Sequence, residues 1–214
     1  MSRDVEKIRE SLAGHDPLKN SRVSKRASVL IPLLESEGEI CVMLTRRSSK
    51  MRSHPGQVSF PGGKEDIDDE DSLQTALRET HEEIGLPGEK VDVIGTLDQI
   101  LSLHYYLVTP YVGLIPSDFV PVTNTDEIES VFKVPLAFFM KSENHWSEEK
   151  KTFASPVLVH HFEYQGYDIW GLTAKLIFRL LEVGLGYVPD FPVCLLYTSP
   201  SPRDLSTSRM PSSA

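Results

Sequence analysis

The sequence is poor in cysteine, in long apolar runs and in surplus positive charge. Two cysteines among 214 residues, Cys41 and Cys194, exclude a disulfide framework and point to a reducing compartment. No apolar run approaches the ~18 residues of a bilayer-spanning helix. With a formal net charge of −9 the chain has no general basic footprint for DNA or RNA, and a polyanionic ligand would need a metal or a local basic patch. The N-terminus, MSRDVEKIRESLAGHD, lacks the apolar stretch of a secretory signal, and Asp4, Glu6 and Glu10 argue against a transit peptide. No internal repeat marks a solenoid or propeller.

What is present reads as one domain with tails. Val5, Ile8 and Leu12 give a short amphipathic helix its apolar side within an N-terminal extension, residues 1–26. Residues 28–34 (SVLIPLL) and 39–46 (EICVMLTR) read as paired strands across a polar turn, and 58–61 as a brief strand stopped by Gly62 and Gly63. Further strands are expected at 92–98, 106–115, 130–136 and 156–164, with a helix at 171–185. Strands interleaved with two main helices predict an α/β layered domain around a mixed sheet. Residues 194–214 change abruptly to Ser, Pro and Arg and read as one frame of a sequencing-library adapter. On that reading Cys194 and Tyr197 carry no function and the native chain stops near Val193.

Between two of these strands, six acids in seven residues (EDIDDED) precede a helix capped by Asp71 or Ser72 and ended by Gly85 and Pro87. Leu73, Ala76, Leu77, Thr80 and Ile84 share one face; Glu79, Glu82 and Glu83 share an adjacent stripe of roughly 100°. Like charges three and four apart repel, so the trio is either a solvated face or a cation site. An EF-hand fails, because Asp71 stands where its loop needs Gly and Leu77 where it needs Glu. A phosphate-binding P-loop fails too, since Lys64 is followed by Glu65 and Val58 occupies the first glycine's place. A divalent ion such as Mg²⁺ suits the trio, with a carbonyl at the glycine turn as a further oxygen and Arg78 to orient a glutamate. The densest basic patch, Arg46, Arg47, Lys50 and Arg52, suits phosphate. The seven histidines show no ligand spacing; His160 and His161 are expected to alternate in and out of a strand, and Cys41 to be an inert core residue.

GGKEDIDDEDSLQTALRETHEEIGL resembles the Nudix box: Gly, five residues, Glu, seven residues, then Arg-Glu-apolar-any-Glu-Glu-any-Gly-apolar. Arg78, Glu79, Glu82, Glu83, Gly85 and Leu86 fill its second half. Asp69 stands in the slot of the early Glu, eight residues rather than seven separate it from Arg78, and Thr80 takes the apolar slot. LTRRSSKMRSHPGQVSFPGG, residues 44–63, resembles the signature preceding the box in the coenzyme A diphosphatase branch, as do 126–136 and 169–177 its closing segments. The likeness is nearest to the animal mitochondrial and peroxisomal members and leaves those compartments and the cytoplasm open.

This resemblance implies a Nudix domain over 27–190, an α/β/α sandwich around a mixed β-sheet. It implies Mg²⁺- or Mn²⁺-dependent hydrolysis of coenzyme A or acyl-coenzyme A to 3′,5′-ADP and 4′-phosphopantetheine or its acylated form. Glu82 and Glu83 would be metal ligands, Glu79 ligand or general base, Arg78 their orienting partner, and Gly63 a backbone ligand. Arg47, Arg52 and Gly62 would bind substrate, and Glu127 is a further candidate ligand or base. The alternatives are another nucleoside-diphosphate substrate such as ADP-ribose or NADH, or a nucleotide-binding module without chemistry. The expected partner is a small molecule, not a nucleic acid or a membrane.

Overall fold

The computed structural model describes residues 3–19, 23, 25–51, 53–151 and 156–191. Helix α1 (Arg3–Ala13) buries Val5, Ile8 and Leu12, the stripe its spacing predicts. Strands β1 (Arg26–Ser36) and β2 (Glu39–Arg47) form a hairpin in the register Leu33↔Val42 and Ser36↔Glu39. Its two-residue turn has φ of 53° at Glu37 and 83° at Gly38, the left-handed pair that matches strand twist.

Next come β3 (Val58–Ser59), β4 (Gly62–Lys64), α2 (Ser72–Ile84), β5 (Asp92–Thr96), β6 (Ile100–Leu101) and β7 (Leu107–Leu114). The chain continues through β8 (Ile128–Pro135), α3 (Leu136–Phe139), β9 (His145–Lys151), β10 (Pro156–Tyr164), β11 (Tyr167–Trp170) and α4 (Gly171–Leu185).

The main sheet runs β3-β2-β1-β7-β5, with β4 also on β1, β6 on β7 and β8 on β2. The β1–β7 pairing is parallel and the others antiparallel, so the sheet is mixed. Alternation along the strands sends side chains to two cores. Leu30, Leu34, Cys41 and Met43 pack with Ile84 and Leu86 at the end of α2. Ile31, Leu33, Val42 and Leu44 pack on the opposite face with Ile177, Leu180 and Leu181 of α4. The α/β/α layering expected from the sequence is the observed one. Helix α1 joins the second core: a methyl on Gly95 would lie 2.7 Å from Leu12, and one on Gly184 3.2 Å from Ile8.

Three expectations are corrected. Gly62 and Gly63 do not stop a strand; they form β4, hydrogen-bonded to β1 at Ser28 and Val29. A second, three-stranded sheet, β11-β10-β9, was not foreseen, because HWSEEKK in β9 is polar on both faces. His160 and His161 do point to opposite sides of β10, yet both are buried: His160 lies against Phe178, and His161 stacks between Trp146 and Trp170. Among the described residues no helix is long and apolar enough to cross a membrane.

Candidate active site

Helix α2 is built to point its C-terminal half at β4. The Asp71 carboxylate accepts from the Gln74 N–H at 2.8 Å, and Gly85 closes the other end at φ 71°. The buried face comprises Thr75, Ala76, Thr80, Glu83 and Ile84, rotated from the predicted one, with Leu73 and Leu77 only half-buried. The three carboxylates are therefore not one solvated stripe: their side chains are 19% (Glu79), 57% (Glu82) and 3% (Glu83) exposed. Glu83 goes inward because tertiary partners meet it there.

Those partners come from the two upstream motifs. The Gly62 N–H donates to Glu83 Oε2 at 3.2 Å, and Arg47 Nη1 lies 3.6 Å from Glu83 Oε1. Burial pushes the Glu83 carboxyl up to about 8, against the opposing pull of the Gly62 N–H and Arg47; Glu79 and Glu127 push the same way as burial. Glu79 is raised too, chiefly by burial. Glu127 adds to both shifts, and its carbonyl accepts from the Ser48 N–H next to Arg47. The neighbouring loop follows α2 closely, since the Asn124 N–H donates to the Glu83 carbonyl.

Both glycines are required, for different reasons. A methyl on Gly62 would run into the β1 backbone, 2.6 Å from Val29 Cα, at a φ of 148°. A methyl on Gly63 would collide with the Glu79 carboxylate itself. Strand β4 thus lies directly against the acidic turn.

Arg78 organises the rest. It bonds Glu79 Oε1 at 3.1 Å, Glu82 Oε1 at 3.3 Å and the Lys64 carbonyl at 3.3 Å. Its strongest grip is on Asp69, through Nε–Oδ1 at 2.8 Å and Nη2–Oδ2 at 2.9 Å. That hydrogen bonding holds the Asp69 carboxyl well below the usual range and raises Arg78. Asp69 also accepts from Thr75 Oγ1 and the Asp66 N–H, at 2.7 and 2.9 Å. The residue in the slot of the early acid is thereby an anchor for the arginine, a role the sequence left unassigned.

The site thus gathers Arg47, Gly62, Gly63, Arg78, Glu79, Glu82 and Glu83; Arg52 lies outside the described residues, as does the segment 194–214. Arg47 Nε is buried with no protein partner among the described residues. The donor set is all oxygen, rich in carboxylate and partly desolvated, which fits a hard divalent cation. As the side chains stand, Arg78 and Arg47 hold the carboxylates, and no three acidic, histidine or cysteine side chains among the described residues converge as a ready ligand set.

The α/β/α sandwich lays a glycine turn against an acidic, arginine-clasped helix, and comparison with known proteins gives the family. Residues 24–155 match the model of the NUDIX domain, and the chain belongs to that family. It is 44% identical over 174 residues to "Nudix hydrolase 15, mitochondrial" of Arabidopsis thaliana, covering 78% of this chain and 61% of that protein. It is 37% identical over 176 residues to "Peroxisomal coenzyme A diphosphatase NUDT7" of Mus musculus, covering 79% and 75%. Among solved structures, a MutT/nudix family protein from Enterococcus faecalis superposes with a TM-score of 0.52 at 14% identity, over 87% of this chain and 75% of that one, a likeness of fold. The chain spans less than two thirds of the length of the plant relative.

Proposed function

We propose that this chain hydrolyses the pyrophosphate bond of coenzyme A, of acyl-coenzyme A, or of both, to 3′,5′-ADP and 4′-phosphopantetheine or its acylated form. One observation carries the reading: Arg47, from the segment resembling the coenzyme A signature, lies 3.6 Å from Glu83 of the Nudix helix, with its Nε unpaired among the described residues. Two motifs that are separate in sequence become one site. The mouse relative's name supports the same substrate class.

Glu82 and Glu83, with Glu79 and the Gly63 carbonyl, would hold Mg²⁺ or Mn²⁺. Such an ion neutralises phosphate charge and lowers the pKa of bound water. The residues supply the rest. A planar guanidinium at Arg47 offers donors to phosphate oxygens. In the reaction a water oxygen bonds to phosphorus, the bridging P–O bond breaks, and the water's proton goes to a carboxylate; Glu79 is the candidate for that role. Arg78, anchored by Asp69, fixes Glu79 and Glu82 in place, and such positioning governs rate. Arg47 and Arg52 are assigned to substrate phosphate and Gly62 to the turn that receives it.

The test is chromatography of products after incubating the chain with Mg²⁺ or Mn²⁺ and coenzyme A, decanoyl-coenzyme A, ADP-ribose or NADH. Release of 3′,5′-ADP from the first two is expected to dominate. Faster cleavage of ADP-ribose or NADH would replace this assignment by another nucleoside diphosphate, and no cleavage of any would point to a binding module.

A further inference from the structure

Two arginines touch the acidic turn, and they are held in opposite ways. Arg78 keeps two arms on Asp69, at 2.8 and 2.9 Å, so it stays in place whatever Glu79 and Glu82 bind. Arg47 has no such anchor. Its one ion pair among the described residues is the contact of Nη1 with Glu83 Oε1, which at 3.6 Å is longer than a hydrogen bond. Its Nε is buried without a partner among those residues.

The supports on either side are fixed. The Arg47 N–H donates to the Gln57 carbonyl at 2.9 Å, and the Arg47 carbonyl accepts from the Gly56 N–H at 3.1 Å. Opposite it, the Glu83 carbonyl accepts from the Asn124 N–H at 3.0 Å, and the Gly62 N–H donates to the Glu83 carboxylate at 3.2 Å. An exchange of partners here therefore needs a turn of the Arg47 side chain and no movement of strand or helix.

Charge gives that exchange its direction. A divalent cation held by the glutamates lies close to the Arg47 guanidinium and is repelled by it; a phosphate held by Arg47 lies close to three carboxylates and is repelled by them. When both are bound, each charge has an opposite neighbour. A guanidinium has five N–H donors, so Arg47 can meet phosphate oxygens with groups that Glu83 leaves unused.

We infer that Arg47 is the exchangeable counter-ion of this site: it holds Glu83 in the metal-free protein and passes to a phosphate oxygen when Glu83 takes a divalent cation, so that cation and diphosphate bind with positive coupling. The inference rests on the ligand set proposed above and is independent of the group beyond the diphosphate. Linkage requires that the cation tighten the diphosphate by the same factor as the diphosphate tightens the cation.

The experiment reads binding in the full chain rather than turnover. Free Mn²⁺ is counted by its electron paramagnetic resonance signal in titrations of wild type, Arg47→Met, Arg47→Lys and Arg46→Met. Arg47→Met is expected to bind Mn²⁺ alone about fivefold or more tightly than wild type, because the competing guanidinium is gone. Arg47→Lys keeps the charge. Arg46→Met removes a charge from the adjacent residue, which pairs with Glu129 at 3.7 Å. Both are expected to stay within about twofold of wild type. Equilibrium dialysis of ADP then gives the coupling: saturating Mn²⁺ should tighten ADP by about twentyfold or more in wild type, and by about fivefold less than that in Arg47→Met.

Mn²⁺ binding by Arg47→Met no tighter than by wild type would overturn the inference. An equal gain in Arg46→Met would overturn it too, by marking a general effect of charge. Should Arg47→Met fail to fold, judged by circular dichroism, Arg47→Gln is read by the same criteria. Cleavage of coenzyme A by a protein whose Mn²⁺ affinity ignores Arg47 defeats this inference alone. The coupling found in a protein that cleaves nothing sustains it and defeats the substrate assignment.

Discussion

Arg78 clasps Asp69 with two parallel bonds of 2.8 and 2.9 Å, and through that clasp positions the acidic turn of α2. Bidentate guanidinium–carboxylate pairs combine strength with fixed geometry. Asp69 does not belong to the ligand set proposed here, so its effect on rate runs through Arg78. Asp69→Asn keeps one acceptor and removes the charge; kcat is expected to fall roughly 10- to 100-fold, as for other outer-shell partners of a metal site. The Mg²⁺ concentration for half-maximal turnover should rise with it. Asp69→Glu restores both oxygens and should recover part of the loss in steady-state assays.

Glu83→Gln separates chemistry from folding. The amide keeps an oxygen for the Gly62 N–H but cannot ionise as a carboxylate ligand must. Turnover is expected to fall by about 10²–10⁴-fold, the scale of losing a catalytic carboxylate. Because the native carboxylate is buried, the metal-free variant should be no less stable than wild type in urea titration at pH 7. Near-normal turnover would remove Glu83 from the catalytic assignment.

The two adjacent glycines should fail in different ways. On Gly63 a methyl meets the far end of Glu79, a flexible side chain that can swing aside. Gly63→Ala is expected to cost under ~1 kcal/mol in stability and about 10²-fold in kcat, since a 1 Å misplacement costs that much. On Gly62 the methyl meets backbone at Ser28 and Val29, in a left-handed conformation. Gly62→Ala should cost more than about 2 kcal/mol, read as a lower melting temperature.

These neighbours also show what could be read from the chain alone. Helix α2 was legible because its signals are local: Asp71 caps it and Gly85 ends it. The inward turn of Glu83 was not, because Gly62 and Arg47 reach it from 21 and 36 positions away in sequence. Strand β4 was hidden by its glycines, whose role is close approach rather than β propensity. Strand β9 was hidden by charge; as an edge of the small sheet it needs no apolar alternation. The clasp of Asp69 was visible only as a slot in a motif, and its partner had to be seen.

His160 gives a prediction that is independent of the active site. It is 1% exposed, packs against Phe178 and shares a 2.9 Å hydrogen bond between its Nδ1 and Nε2 of His145. Burial pulls it down to about 4, with His145, Lys175 and His161 acting in the same direction; His145 is lowered as well, again mainly by burial. The folded value lies below the ordinary 6.5, so between those limits the unfolded chain binds more protons than the folded one. Stability is therefore fully present above about pH 6.5 and is lost as pH falls toward 4, by on the order of 3 kcal/mol for His160. Below about pH 6.5 the urea midpoint of wild type should fall relative to that of a His160→Gln variant, the opposing rise contributed by the raised Glu83 carboxyl being common to both proteins. His160→Gln retains a hydrogen-bonding side chain that does not titrate, so its midpoint should start lower and fall less across the same range. Parallel curves for the two proteins would show that the acid sensitivity arises elsewhere.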